Sequence, residues 1–447
     1  MKQLTGLKGF SVLWAGQILS AVGTRMTNFV LGIWVWQETG QASALALLTF
    51  CAFGATVLCS PLAGYLIDRL SRRVTIMLSD LGSALATGIM VLLFLTGDVQ
   101  LWQLVLTNTL TGGFLAFMFP AYAATVAELM PKEHYPKANG MLSLVRSVPG
   151  IAAPALAGVL LGVVSLSTLL LVDVCSYLIA IGTVFLVRLK KRAPTGERAE
   201  SRWRDWTAGY RYIAHRRGLV GLLALTVVIG FTSAMGFIVL IPMILARTGD
   251  NEAQLGLVQS IGAVGGVLGA LALTRLRSPS RKMPAVFAAV LVFSLLGQVG
   301  IGLGNTVALW AVAWFFAWLA VPFVEGYSQS IWQQKVPHAV QGRVFAATQL
   351  FENLALPIGF ALSGPLVDHV FAPRMAPGGG LAEVFGPLVG TGQGGAMGLV
   401  FLLAGTIGAI TAVVAACTPS VRNLEARLPD HDEPPVAASA TGRSGED

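Results

Sequence analysis

About twelve stretches of this chain stay apolar for about twenty residues or more, and that pattern decides what it can fold into. They lie near residues 10–36, 44–66, 74–95, 101–126, 139–163, 167–187, 219–246, 254–274, 284–303, 307–332, 343–367 and 395–418. Each is long enough, as a helix, to cross ~30 Å of hydrocarbon. Inside a bilayer no water can satisfy backbone N–H and C=O groups, so each stretch must satisfy its own as a helix. The expected fold class is an all-α membrane protein with twelve transmembrane helices. Charged residues make up only 12% of the 447, about half the share of a soluble domain.

The placement of the charges sets the topology. Of 30 lysines and arginines, all but Arg25, Arg146, Arg247 and Arg374 fall in the termini or in alternate loops. Basic residues stay on the cytoplasmic side, so both termini are expected there. The net charge of +8 therefore reads as membrane orientation, and no nucleic-acid partner is expected. Lys2 and Lys8 precede an apolar run from Phe10 to Trp36 that is longer than a signal-peptide core, so it reads as the first span.

The longest basic loop divides the chain into six spans plus six. Residues 1–187 read as an N-terminal six-helix bundle, 188–218 as a cytoplasmic basic linker and 219–418 as a C-terminal six-helix bundle. Residues 419–447 read as a disordered cytoplasmic tail. Trp203, Trp206, Tyr210 and Tyr212 among the linker's charges fit either an amphipathic helix on the inner leaflet or a solvated loop. Ala153-Pro154-Ala155-Leu156-Ala157-Gly158 in span 5 echoes Gly359-Phe360-Ala361-Leu362-Ser363-Gly364 in span 11, a weak internal repeat. The segment Leu381–Val389 is expected to fold onto the outer surface.

Cys51, Cys59, Cys175 and Cys417 lie in apolar runs without metal-ligand spacing and read as packing residues. His134, His215, His338 and His369 share no metal spacing either, and there is no G-x-x-x-x-G-K-[ST] phosphate loop. No metal or cofactor is expected. An enzyme is not expected either, for no catalytic cluster gathers at one surface.

One short loop carries a specific motif. Gly64-Tyr65-Leu66-Ile67-Asp68-Arg69-Leu70-Ser71-Arg72-Arg73 packs an acid and three arginines between two apolar runs. Hydrocarbon cannot hold that charge density, so this is a tight turn at the bilayer surface, with Arg69, Arg72 and Arg73 on the anionic side. The spacing resembles the G-x-L-x-D-R-x-x-R-R loop between helices 2 and 3 of the major facilitator superfamily. Ser71 stands where that loop usually has glycine. Phe119-Pro120-Ala121, Glu128-Leu129-Met130-Pro131 and Ala138-Asn139 look like the span 4–5 connection of its drug-efflux and secretion-effector branch, which includes macrolide and siderophore exporters. Val336-Pro337 and Gln341-Gly342-Arg343-Val344-Phe345 are similar to its span 10–11 connection. Span 4 lacks the arginine that many proton-coupled relatives place there.

This resemblance implies two pseudo-symmetric bundles that rock about a central cavity lined by spans 1, 4, 7 and 10. It also implies a latch in which Asp68 meets the positively polarised start of span 11 in one state.

Ionisable groups within spans cost ~2.5–3.5 kcal/mol or more at mid-membrane and usually have a partner or a task. Gln17, Ser20, Thr24 and Asn28 form one helical stripe, read as facing water or substrate. Arg25 lies beside it, for cargo binding or for pairing with an acid such as Asp173. Trp314, Trp318, Glu325, Gln329 and Trp332 share a face of span 10, where Trp314, Trp318 and Gln329 suit a large, partly apolar ligand. Glu352 and Arg146 occupy equivalent positions in spans 11 and 5 and are expected to form a gate. Glu325, Glu352, Arg146 and Asp173 are the proton-coupling candidates.

The expected function is export of a hydrophobic or amphipathic small molecule by a monomer in a bacterial inner membrane, driven by protons. The alternatives are a lysolipid or nutrient transporter of the same fold, or a non-transporting receptor or assembly protein.

Overall fold

Ser71 accepts the backbone N–H of Val74 and so starts one helix almost directly after another ends, turning the chain back through the bilayer. The computed structural model describes residues 4, 6–69, 71–129, 135–187 and 209–429. The first half is α1 (Gly6–Thr39), α2 (Ala42–Arg69), α3 (Arg72–Thr96), α4 (Leu101–Leu129), α5 (Tyr135–Leu160) and α6 (Leu166–Leu186). The second half begins with α7 (Arg217–Thr248), α8 (Glu252–Arg275), α9 (Met283–Leu303, with a π-helical middle), α10 (Val307–Lys335) and α11 (His338–Pro365). A short α12 (Gly380–Val389) precedes α13 (Gly392–Cys417), and α14 (Pro419–Arg422) and α15 (Leu424–Arg427) follow it.

Among the described residues, eleven of these helices are long and apolar enough to cross a membrane. The one other long helix, α5, has 26 residues, of which Val148–Leu160 form its described apolar part. Span 11 runs further than its sequence pattern, through a π turn at Leu366–Phe371 to Met375. Among the described residues there is no strand, only an isolated bridge between Leu4 and Val187. Residues 188–208 and 430–447, most of the expected linker and tail, lie outside the described residues.

The outer faces of the helices are those of a protein dissolved in lipid. On α3, Leu78, Leu81, Leu85, Ile89 and Leu92 are all exposed, at spacings of three and four that draw one stripe along the helix. The opposite stripe, including Ser79, Asp80, Ser83 and Thr87, is buried. A helix with its polar residues inward and its leucines outward is stable only where the surrounding medium is itself apolar.

Packing within the two halves repeats pair by pair. In the first, α1 lies on α5 and α6, α2 on α4, and α3 on α4 and α6. In the second, α7 lies on α11 and α13, α8 on α10, and α9 on α10 and α13. The main contacts across the halves are themselves a symmetric pair, α2 on α11 and α5 on α8.

The end of the bundle where α1 begins carries most of the basic residues and is called the basic end here. There the second half is fastened by its own C-terminal turn. The Glu425 carboxylate accepts the backbone N–H groups of Lys282 and Met283 at 2.8–3.0 Å and so caps the start of α9. Lys335 Nζ, at the end of α10, donates to the carbonyls of Glu425 and Leu428.

Candidate functional site

The first helix has two faces with opposite fates. Trp14, Ile18, Ala21, Arg25 and Asn28 recur at spacings of three and four on one of them and keep solvent-accessible surface. Two turns beyond Arg25 on that same face is Gly32, where a Cβ would lie 3.0 Å from the Ile241 side chain of α7. This face therefore looks across at the other half. From Phe29 to Trp36 every residue except Trp34 is buried, so the halves meet there and part below it. The gap between them closes just beyond Asn28 and opens toward the basic end.

Hydrogen bonds across the halves place the closure at the same end. Asp368 accepts from the backbone of Ala42 and Ser43, Gln393 donates to the Gly40 carbonyl at 3.3 Å, and Gln37 donates to Glu252 at 3.1 Å. Ser260 donates to the Ile151 carbonyl at 3.3 Å, ~12 Å from that end.

The other face of α1 is packed against α3 and α6. Gln17 Nε2 donates to Asp80 Oδ2 at 2.9 Å, and Thr27 Oγ1 donates to Asp173 Oδ2 at 2.8 Å. Thr24 Oγ1 donates to the Ser20 carbonyl at 3.0 Å, which leaves the Tyr177 hydroxyl, 2.7 Å away, to donate to Thr24. Ser176 Oγ donates to the Asp173 carbonyl at 2.7 Å. Gly23 makes this possible: a Cβ there would collide with Asp173 and Ser176. The result is a buried layer in which two carboxylates meet only neutral donors among the described residues.

The expected site residues distribute as follows. Gln17 and Thr24 are buried in the layer toward α3 and α6, whereas Arg25 and Asn28 are exposed on the gap face. The guanidinium of Arg25 is densely surrounded by protein yet retains accessible surface, as a group on an internal solvent space does. It forms no hydrogen bond or ion pair with the described residues, and Asp173 is occupied by Thr27 and Ser176 instead.

Trp314 is buried against α8, where Gly262 leaves the room for its indole, and it stacks edge-on with half-buried Trp318 at 5.9 Å. Glu325 and Gln329 are exposed one turn apart on α10. Glu352 is half-buried on α11, with Thr226 of α7 as its polar neighbour. Arg72 and Arg73 open α3, and Arg73 lies over the Phe185 ring at 5.1 Å. The side chains of Gly64, Asp68, Arg69 and Arg146 lie outside the described residues.

Sequence reasoning missed the partnership of Gln17 with Asp80. Gly16 and Gly23, seven residues apart and flanking Gln17 and Ser20, are the signal that marks this as the close-packed side of the helix.

Two pseudo-symmetric bundles around a gap closed at one end define a helical membrane transporter. The description of the Major Facilitator Superfamily matches residues 13–360, and the chain belongs to that family. It is 25% identical over 367 residues to macrolide efflux protein A of Streptococcus pyogenes, covering 81% of this chain and 90% of that one. It is 25% identical over 372 residues to the MFS-type transporter YfiS of Bacillus subtilis, covering 81% and 88%.

Among solved structures, it is similar to a bacterial homologue of the human lysosomal transporter Spinster in an inward-facing, unoccupied conformation. That likeness has a TM-score of 0.68 at 15% identity over 94% of this chain and 98% of that one. A bacterial homologue of the iron transporter ferroportin in an inward-facing state gives 0.67 at 16% identity, over 91% and 99%.

Proposed function

We propose that the chain is a secondary active exporter that moves a hydrophobic or amphipathic small molecule out of the cytoplasm in exchange for protons. A drug, a siderophore or a secondary metabolite fits this description. The observation that carries the reading is the change along α1, whose gap face is accessible as far as Asn28 and buried beyond it at Gly32 and Val35. A passage open at one end and sealed at the other serves transport once the two halves, 1–187 and 219–418, rock to reverse it.

The basic end is the cytoplasmic one in this reading, since it holds most lysines and arginines and both termini. The loaded state is then entered from the inside. Outward direction is favoured by the relatives named for macrolide efflux. One chain carries both halves of the passage, so a monomer suffices.

Coupling to protons rests on carboxylates that meet neutral partners within the membrane. Asp173, with Thr27 and Ser176 as donors, is one; Glu352, beside Thr226, is another. Each can alternate between a protonated form and a form compensated by a charge brought near in the other state. Arg146 would be that charge for Glu352, and exposed Glu325 would pass protons toward the cytoplasmic end.

Everted membrane vesicles test this. A proton gradient is expected to drive uptake of an amphipathic probe, cationic (ethidium) or anionic (8-anilinonaphthalene-1-sulfonate), and a protonophore to abolish it. Glu352→Gln is expected to insert normally and to lose gradient-driven uptake. Unchanged uptake without a gradient would overturn proton coupling, and no uptake of any amphipathic probe would overturn export.

A further inference from the structure

Arg25 occupies a position that a structural arginine would not. It lies on the face of α1 that looks at the other half, two turns from the Gly32–Ile241 contact that closes the gap. It is therefore ~10 Å below the closure, near the middle of a 34-residue helix. It keeps accessible surface, and no described residue takes its hydrogen bonds or balances its charge. Other polar groups of α1 at this depth are already satisfied: Thr24 by Ser20 and Tyr177, Thr27 by Asp173. Asn28, one turn away, is exposed beside it.

An unpaired guanidinium in mid-membrane is costly unless an anion completes it. Its five donors form a planar fork that matches the two oxygens of a carboxylate or the oxygens of a phosphate. Among the described residues, Glu352 and Glu325 are placed away from it. Thr226, the neighbour of Glu352, is fifteen residues before Ile241 on α7, so Glu352 lies ~12 Å nearer the basic end than Arg25. Exposed Glu325 is on α10, which borders α8 and α9.

We propose that Arg25 is the anion-receiving group at the closed end of the passage, and that the cargo is an amphipathic molecule bearing an acidic group. The apolar stripe below Arg25, including Ile18 and Ala21, receives its hydrophobic body. This deepens the export reading by naming the charge of the cargo. A small organic acid and an acidic lipid headgroup share this chemistry, and the test separates them.

The probe is the labelling rate of Asn28→Cys by a maleimide, in a background where the four native cysteines are alanine, with the purified protein in nanodiscs of neutral lipid. 2-Naphthoate and 2-naphthylmethylammonium share a ring system and differ in charge. Naphthoate is expected to slow labelling and the ammonium not to. Arg25→Gln should raise the concentration needed for half protection by tenfold or more, and Arg25→Lys by less. A matched elution profile on size exclusion shows that each variant is folded.

Equal protection by the two probes would overturn the proposal, as would undiminished protection by naphthoate in Arg25→Gln. Protection by lysophosphatidate but not by naphthoate would overturn a small-acid cargo in favour of a lipid. This assay contains no gradient and no net transport. Protection without vesicle uptake would therefore condemn the export reading alone, and uptake without charge-selective protection would condemn this inference alone.

Discussion

The Asp368 carboxylate, just past the end of α11, accepts the backbone N–H of Ser43 at 2.7 Å, and that of Ala42 at 3.2 Å, in the first turn of α2. A charge from one half thus caps a helix of the other, where the helix dipole favours it most. Beside it the α2 and α11 backbones approach so closely that a Cβ on Gly364 would strike Ser43 and Ala46. The motif residue Asp68 sits at the far end of the same α2–α11 pair. Each helix of the pair therefore carries an acid near its C-terminal end.

Asp368→Asn removes the charge while keeping one acceptor oxygen. Charge-assisted hydrogen bonds contribute ~1.5–3 kcal/mol, so losing that assistance is expected to move the two-state balance by about tenfold toward opening at the capped end. Labelling of Asn28→Cys by an impermeant maleimide added outside cells should rise accordingly. No change in labelling would show that the cap does not hold the passage shut.

Asp68→Asn is the reciprocal experiment. If Asp68 latches the state closed at the basic end, this variant is expected to insert and fold normally and to lose transport. Wild-type flux from this variant would remove that role.

Substitutions at Asp173 separate architecture from coupling. Asp173→Leu leaves the buried Thr27 hydroxyl without its acceptor, at ~1–3 kcal/mol, and thermal unfolding in detergent should shift down. Asp173→Asn keeps an acceptor for Thr27 and is expected to unfold close to the wild type while transport stops responding to the pH gradient. A normal pH response in Asp173→Asn would confine the residue to packing.

Gly262→Leu fills the space that the Trp314 indole occupies against α8. Overpacking of this kind costs ~1–3 kcal/mol, and the displaced ring should shift tryptophan emission to the red. Adding Trp314→Ala is expected to restore much of the lost stability. If the second change brings no recovery, the two residues do not share the contact.

The spans, their halving and the family were legible because apolarity and basic loops are local properties of the sequence. Partners across helices were not. Gln17 and Asp80 are separated by 63 positions, and Thr27 and Asp173 by 146, so only the packed bundle brings them together. A polar stripe on α1 was visible, but polarity alone does not say whether a stripe meets water or two acids. For that reason Gln17 and Thr24 looked equivalent to Asn28, which lies on a different face. Trp314 was read as a cavity wall because an aromatic ring suits either a ligand or a glycine groove, and the groove belongs to another helix.

The described residues nearest the two ends of the chain are each fastened to one half. Leu4 donates to the Leu186 carbonyl at 2.8 Å, which binds the leading segment to the close of α6. The trailing one is held through Glu425 and Lys335 at the feet of α9 and α10. Fluorophores attached beside those contacts would ride one on each half, and their separation would test whether the halves swing, without a label inside the bilayer.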